Sequence, residues 1–117
     1  EYQSTDEQFL EKAIECVEKY LVESDFDIDA FASELNVSKS TLNRKMKVMT
    51  GLSPVEFIRN IRLKHACTIL KKPFVNISEV AYAVGFSNPK YFTKCFKNEF
   101  DMTPTEYQKK EEEKSSM

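Results

Sequence analysis

Apolar residues recur with the 3.6-residue period of a helix in several separate stretches. Phe9, Ala13, Cys16, Val17, Tyr20 and Leu21 share one helical face, and Thr5-x-x-Gln8 ahead of them reads as a capping box. This pattern predicts a first helix over about residues 6–24 with an acidic outer face. Asp27 can cap a short helix in which Ile28, Phe31, Ala32 and Leu35 face inward. Asn36 tolerates the left-handed conformation of a tight turn, and Val37 plugs that turn. Ser38 then caps a helix with Leu42, Met46 and Met49 inside, and Gly51 stops it. Ser53-Pro54-x-Glu56 starts the next helix, with Leu63, Ala66, Cys67 and Leu70 on one face and Pro73 as the stop near Lys72.

The same plan then repeats. Ile28, Phe31, Ala32, Leu35, Val37 and Ser38 pair with Ile77, Val80, Ala81, Val84, Phe86 and Ser87, 49 positions later. From Leu42 onward the offset is 50, which predicts one extra residue at the start of the second copy's long helix. Asn76 is the expected cap of the short helix, Gly85 the turn residue, and Ser87 the cap of the Phe92/Phe96/Phe100 helix, with Pro89 in its first turn. Asp101 stands at the position of Gly51, and Thr103-Pro104-x-Glu106 begins a last helix carrying Tyr107. The reading is an all-α chain of about seven helices, arranged as two helix–turn–helix units joined by a long helix. Its parts are an acidic N-terminal helix packing on the first unit (1–26), the first helix–turn–helix (27–52), the linker helix (53–73), the second unit with the last helix (74–110) and a frayed tail (111–117).

Composition agrees with helices: 117 residues include only 2 Gly and 4 Pro, and no stretch alternates as a strand does. No apolar run approaches the ~18 residues that would indicate a membrane span, and no signal-peptide pattern is present. Three widely spaced cysteines and a single histidine argue for a reducing, cytoplasmic setting and against a disulfide framework or a metal site. No catalytic constellation appears, so no enzyme activity and no cofactor are expected. The chain begins with Glu1, which suggests a piece of something longer.

Charge changes the picture more than composition does. Net charge is only −2, yet residues 1–34 carry eleven acids against two bases, whereas residues 38–72 carry nine bases and one acid. A polyanion senses the local field, because screening limits electrostatic reach to ~8–10 Å in physiological salt. A capped helix protruding from a helix–turn–helix fits the major groove of B-DNA. Its outward positions here are Lys39, Ser40, Asn43, Arg44 and Lys47 in the first unit, and Asn88, Lys90, Thr93, Lys94 and Lys97 in the second. Arg44 can fork onto guanine and Asn43 onto adenine. Ser38, Lys39, Arg59, Arg62, Ser87 and Lys97 are the candidates for phosphate contact, the two serines through their helix N-termini. The linker helix, about 28 Å long at 1.5 Å per residue, can space two recognition helices for successive grooves one ~34 Å turn apart. Solvated surface faces, or a helical module that binds a protein partner without specific DNA binding, are the alternative readings.

The two-unit pattern over residues 6–110, above all "ISEVAYAVGFSNPKYFTKCFKNEFDMTPTEY", resembles the AraC/XylS family of bacterial transcription regulators. That resemblance implies a seven-helix domain that binds double-stranded DNA sequence-specifically, with bases read by residues just inside each recognition helix. At matching positions these are Ser40, Asn43 and Arg44, then Pro89, Lys90 and Lys94. Ser40 is small, Pro89 lacks a backbone donor, and Asp101 replaces a frequent glycine. RNA polymerase as a further partner and a homodimeric full-length protein are implied too, with no membrane contact by this domain. The acidic first helix together with "FIRNIRLKHA" is most similar to output domains of hybrid two-component regulators of gut bacteria.

Overall fold

The computed structural model describes residues 4–115, and among them the fold is seven α-helices without strands. They are α1 (Thr5–Lys19), α2 (Ile28–Glu34), α3 (Lys39–Thr50), α4 (Pro54–Leu70), α5 (Ile77–Ala83), α6 (Pro89–Phe100) and α7 (Pro104–Ser115). The chain divides into two compact units, residues 1–61 and 62–117, with the division inside α4.

In the first unit, α1, α2, α3 and the first half of α4 share a core. Ala13, Phe31, Leu42 and Met46 are fully buried, with Val17, Phe57 and Ile58 beside them. Phe57, Ile58 and Ile61 are core residues that the inward pattern of α4 did not include. Rings line this core in sequence: Tyr20 stacks on Phe26 at 5.0 Å, Phe26 meets Phe31 at 5.7 Å, and Phe31 stacks on Phe57 at 6.1 Å. The second unit is built on a longer run of rings. Phe92 lies 5.2 Å from Phe86 and 5.8 Å from Phe96, and Phe96 touches both Phe100 (4.7 Å) and Tyr107 (5.6 Å). Cys16 and Cys95 are buried and serve as small apolar side chains, while the half-buried Cys67 shares a hydrogen bond with Tyr107.

Several helix limits differ from the sequence expectation, each for a local reason. Ser4, not Thr5, caps α1: its Oγ accepts the Glu7 N–H at 3.1 Å. The helix ends at Lys19 rather than near residue 24. Tyr20 leaves the helical path to stack on Phe26, and its hydroxyl donates to Glu34 Oε1 at 2.9 Å. Helix α4 ends at Leu70, and the Lys72 N–H bonds Ile69 at 3.1 Å in a tightened last turn. The expected frayed tail is helical through Ser115. Gln, Lys and Glu favour the helix intrinsically, and Lys114 lies 4.0 Å from Glu111 one turn back. Residues 1–3, 116 and 117 lie outside the described residues.

Candidate nucleic-acid interface

Two turns set the two long helices. In the first, Asn36 takes φ 56°, its N–H bonds Ser33 at 3.1 Å, and the Val37 N–H bonds Ala32 at 3.1 Å. In the second, Gly85 takes φ 93°, its N–H bonds Tyr82 at 3.1 Å, and the Phe86 N–H bonds Ala81 at 2.9 Å. The bonding is the same in both copies, although the residue types differ. Both turns need positive φ, which asparagine tolerates and glycine adopts freely.

The caps then diverge from expectation. Ser38 caps α3, its Oγ accepting the Thr41 N–H at 3.1 Å and donating to Thr41 Oγ1 at 3.0 Å. Asn88, rather than Ser87, caps α6: its Oδ1 accepts the N–H groups of Lys90 (2.9 Å) and Tyr91 (3.3 Å). Pro89 follows as the first helical residue, where a missing N–H costs nothing. The short helices start at matched caps Asp27 and Asn76, 49 apart, while the long ones start at Ser38 and Asn88, 50 apart. The extra residue therefore lies in the second turn and not at the helix start.

Both long helices also end alike. Gly51 (φ 78°) and Asp101 (φ 60°) adopt the left-handed conformation and donate to Lys47 (2.9 Å) and Lys97 (2.8 Å). Reciprocal capping boxes start the helices that follow. The Ser53 N–H donates to Glu56 at 2.9 Å and Ser53 Oγ accepts the Glu56 N–H at 3.2 Å; Thr103 and Glu106 repeat this at 2.8 and 3.1 Å. These bonds hold the Glu56 and Glu106 carboxyls below their ordinary pKa, because an accepted backbone N–H favours the charged form.

With both ends fixed and one face buried, each long helix presents a defined outer face. Leu42 and Met46 anchor α3 inward, leaving Lys39, Ser40, Asn43, Arg44 and Lys47 exposed. Phe92 and Phe96 anchor α6, leaving Lys90, Lys94 and Lys97 exposed. Each face is cationic, a charge that suits a polyanion.

Six of the expected contact residues are qualified by the geometry. The Asn88 carbonyl oxygen is committed to the α6 cap. Thr93 is half-buried. Asn43 Nδ2 donates one of its two N–H groups to the Lys39 carbonyl at 3.0 Å, which leaves one donor for a base. Arg59 and Arg62 are both half-buried; the Nε of Arg62 is inaccessible, and burial pushes its guanidinium below the usual pKa. Ser87 is exposed but is not a helix N-terminus.

Three features at the interface had no signal in the periodicity. Lys39 Nζ pairs with Asp29 of α2 at 2.9 Å. Lys45 lies 4.8 Å over the Phe9 ring, which ties α3 to α1. Tyr91 stands half out of α6 with its ring tilted against Phe86 at 6.1 Å. Among the described residues no group of three or more His, Cys, Asp or Glu is placed to hold a metal ion, and no helix is long and apolar enough to cross a membrane.

A family profile described as a helix–turn–helix domain matches residues 31–110. Histidine kinase P4 of Formosa agariphila is 49% identical over 105 residues, which cover 90% of this chain but only 8% of that protein. The chain thus spans under a tenth of that relative's length. Among solved structures, a transcriptional regulator with an AraC-type DNA-binding domain from Chromobacterium violaceum superposes with TM-score 0.82 at 27% identity, covering 90% of this chain and 93% of that one. The C-terminal domain of AraT, a response regulator from Geobacillus stearothermophilus, gives TM-score 0.81 at 28% identity over 92% and 88% of the two chains. The profile match, the duplicated units and the two cationic helices together make this chain a member of the AraC-type helix–turn–helix family, the sequence-specific DNA-binding domains of transcription regulators rather than a family of enzymes.

Proposed function

We propose that this chain is the DNA-reading output module of a longer two-component regulator, and that it inserts α3 and α6 into successive major grooves of one duplex. The observation that carries this is the duplication itself. Two capped, cleanly ended helices carry exposed cations at matched positions, Arg44 with Lys94 and Lys47 with Lys97, on faces poor in acids. Arg44 and Lys94 are the principal base readers, with Ser40, Asn43 and Lys90 beside them. Lys47, three residues beyond Arg44, joins the base readers, and Lys97 meets a phosphate. Helix α4, seventeen residues long, joins the two units.

The two-component context is supported by the similarity to a histidine kinase and to a response-regulator domain. In that setting the module works in the cytoplasm, its full-length protein pairs as a homodimer, and it acts with RNA polymerase at the promoter. Pairing raises affinity through effective concentration, without new contacts in the module.

Selection from a random-sequence duplex pool tests the reading. Enrichment of a motif with two half-elements about one helical turn apart is expected. On the enriched duplex, Arg44→Ala and Lys94→Ala should each cost ~1–3 kcal/mol and each relax a different half-element. Wild-type binding by both variants would refute the groove assignment, and a pool that enriches nothing would favour a protein-binding module.

A further inference from the structure

The Lys39–Asp29 pair stands at the N-terminus of α3, where a groove-inserted helix meets the DNA backbone. Asp29 lies in the first turn of α2, a position that suits a carboxylate, and it reaches across the turn to Lys39 Nζ at 2.9 Å. Asp29 and then the more distant Asp27 hold the Lys39 ammonium above its ordinary pKa, so the cation faces two carboxylates of its own protein. The second unit has no such pair. The matched positions are Ser78, 49 residues after Asp29, and Pro89, 50 residues after Lys39. Yet the turn between α5 and α6, one residue longer before its cap, closes with the same two backbone bonds. The helix–turn–helix geometry therefore does not require the pair, and an exposed ion pair adds little to stability in any case.

We infer that Asp29 is a built-in competitor for the DNA backbone: its carboxylate occupies Lys39, so that a phosphate must displace it before Lys39 can make contact. The inference rests on α3 meeting DNA as proposed above. Its functional consequence follows from what phosphate contacts do. They add affinity for every sequence alike, whereas base contacts discriminate. Holding one phosphate-directed cation in reserve lowers sequence-independent binding and leaves Arg44 and its neighbours a larger share of the decision. The first unit then grips the backbone less, and with less salt sensitivity, than its row of cations implies.

A double-mutant cycle of Asp29→Ser and Lys39→Gln tests this. Binding is measured by fluorescence anisotropy on a random-sequence duplex of about 30 base pairs, three helical turns, across a salt series. One released phosphate contact steepens the dependence of log K on log salt by ~0.9, which at 0.1 M salt corresponds to about eightfold tighter binding than at the 1 M reference. Asp29→Ser is therefore expected to tighten binding by up to about eightfold, with that steeper slope. In the Lys39→Gln background the same change should alter affinity less than about twofold. Equal tightening in both backgrounds would overturn the inference, because the carboxylate would then act by general repulsion and not by holding Lys39. So would the absence of any tightening. If Asp29→Ser weakens folding, as judged by circular dichroism, Asp29→Asn is read in its place against the same outcomes. Arg44→Ala and Lys94→Ala, measured on the duplex enriched by selection, separate the two levels. If they weaken binding while the cycle shows no coupling, the groove reading stands and this inference falls; if nothing changes binding, both fall.

Discussion

Replacing Gly51 with alanine isolates one physical term at the end of the first recognition helix. Gly51 ends α3 at φ 78° and donates its N–H to Lys47 at 2.9 Å. A methyl group built there has no heavy atom within 4 Å beyond its own chain neighbours, so no steric clash is added. What remains is conformational. Holding an L-residue in the left-handed region costs ~1–2 kcal/mol. The stiffer unfolded chain returns ~0.4–1 kcal/mol of that. The net loss should be about 1 kcal/mol, a shift of roughly 0.5 M in the urea midpoint for a domain of this size. Gly51→Asn should lose less, since Asp101 already adopts φ 60° at the matched position with the same bond to Lys97. Urea unfolding followed by far-ultraviolet circular dichroism measures both variants. A loss above ~3 kcal/mol, or an asparagine variant as unstable as the alanine one, would refute the reasoning, because either requires a contact at Gly51 beyond backbone strain.

Two further predictions concern the caps. Asn88→Ala should destabilise the second unit by ~1 kcal/mol, whereas Ser87→Ala should be near neutral, and thermal unfolding of the pair decides which residue caps α6. Glu56→Gln should lower the melting temperature at pH 7, and the gap should narrow as pH falls below the ordinary value of 4.5: the folded-state carboxyl titrates lower than that, so its contribution is complete above 4.5 and is lost as pH falls through the folded-state pKa. A melting-temperature gap that persists at low pH would mean that the Glu56 charge is not the source.

Much of the fold was legible because its signals are local. A helix begins where a short polar side chain can take the orphan N–H groups, and Asp27, Ser38, Ser53, Asn76 and Thr103 each declare such a start within four residues. The left-handed stops at Asn36, Gly51, Gly85 and Asp101 are legible for the same reason. Where two adjacent residues could both cap, local rules were insufficient. Ser4 and Asn88, rather than Thr5 and Ser87, take the orphan N–H groups. The departure of Tyr20 from α1 was equally invisible, since it depends on Phe26 and on Glu34, a residue 14 positions away.

The sequence by itself determined the helical class, the duplication and the identity of the outward cations, because capping chemistry and 3.6-residue periodicity act over a few residues. Only the tertiary structure decided which of those cations are available. Lys39 is held by Asp29 ten residues earlier, and Arg62 is half-buried. Charge is a property of a residue, but its availability to a phosphate depends on neighbours brought close by packing, which no local pattern records.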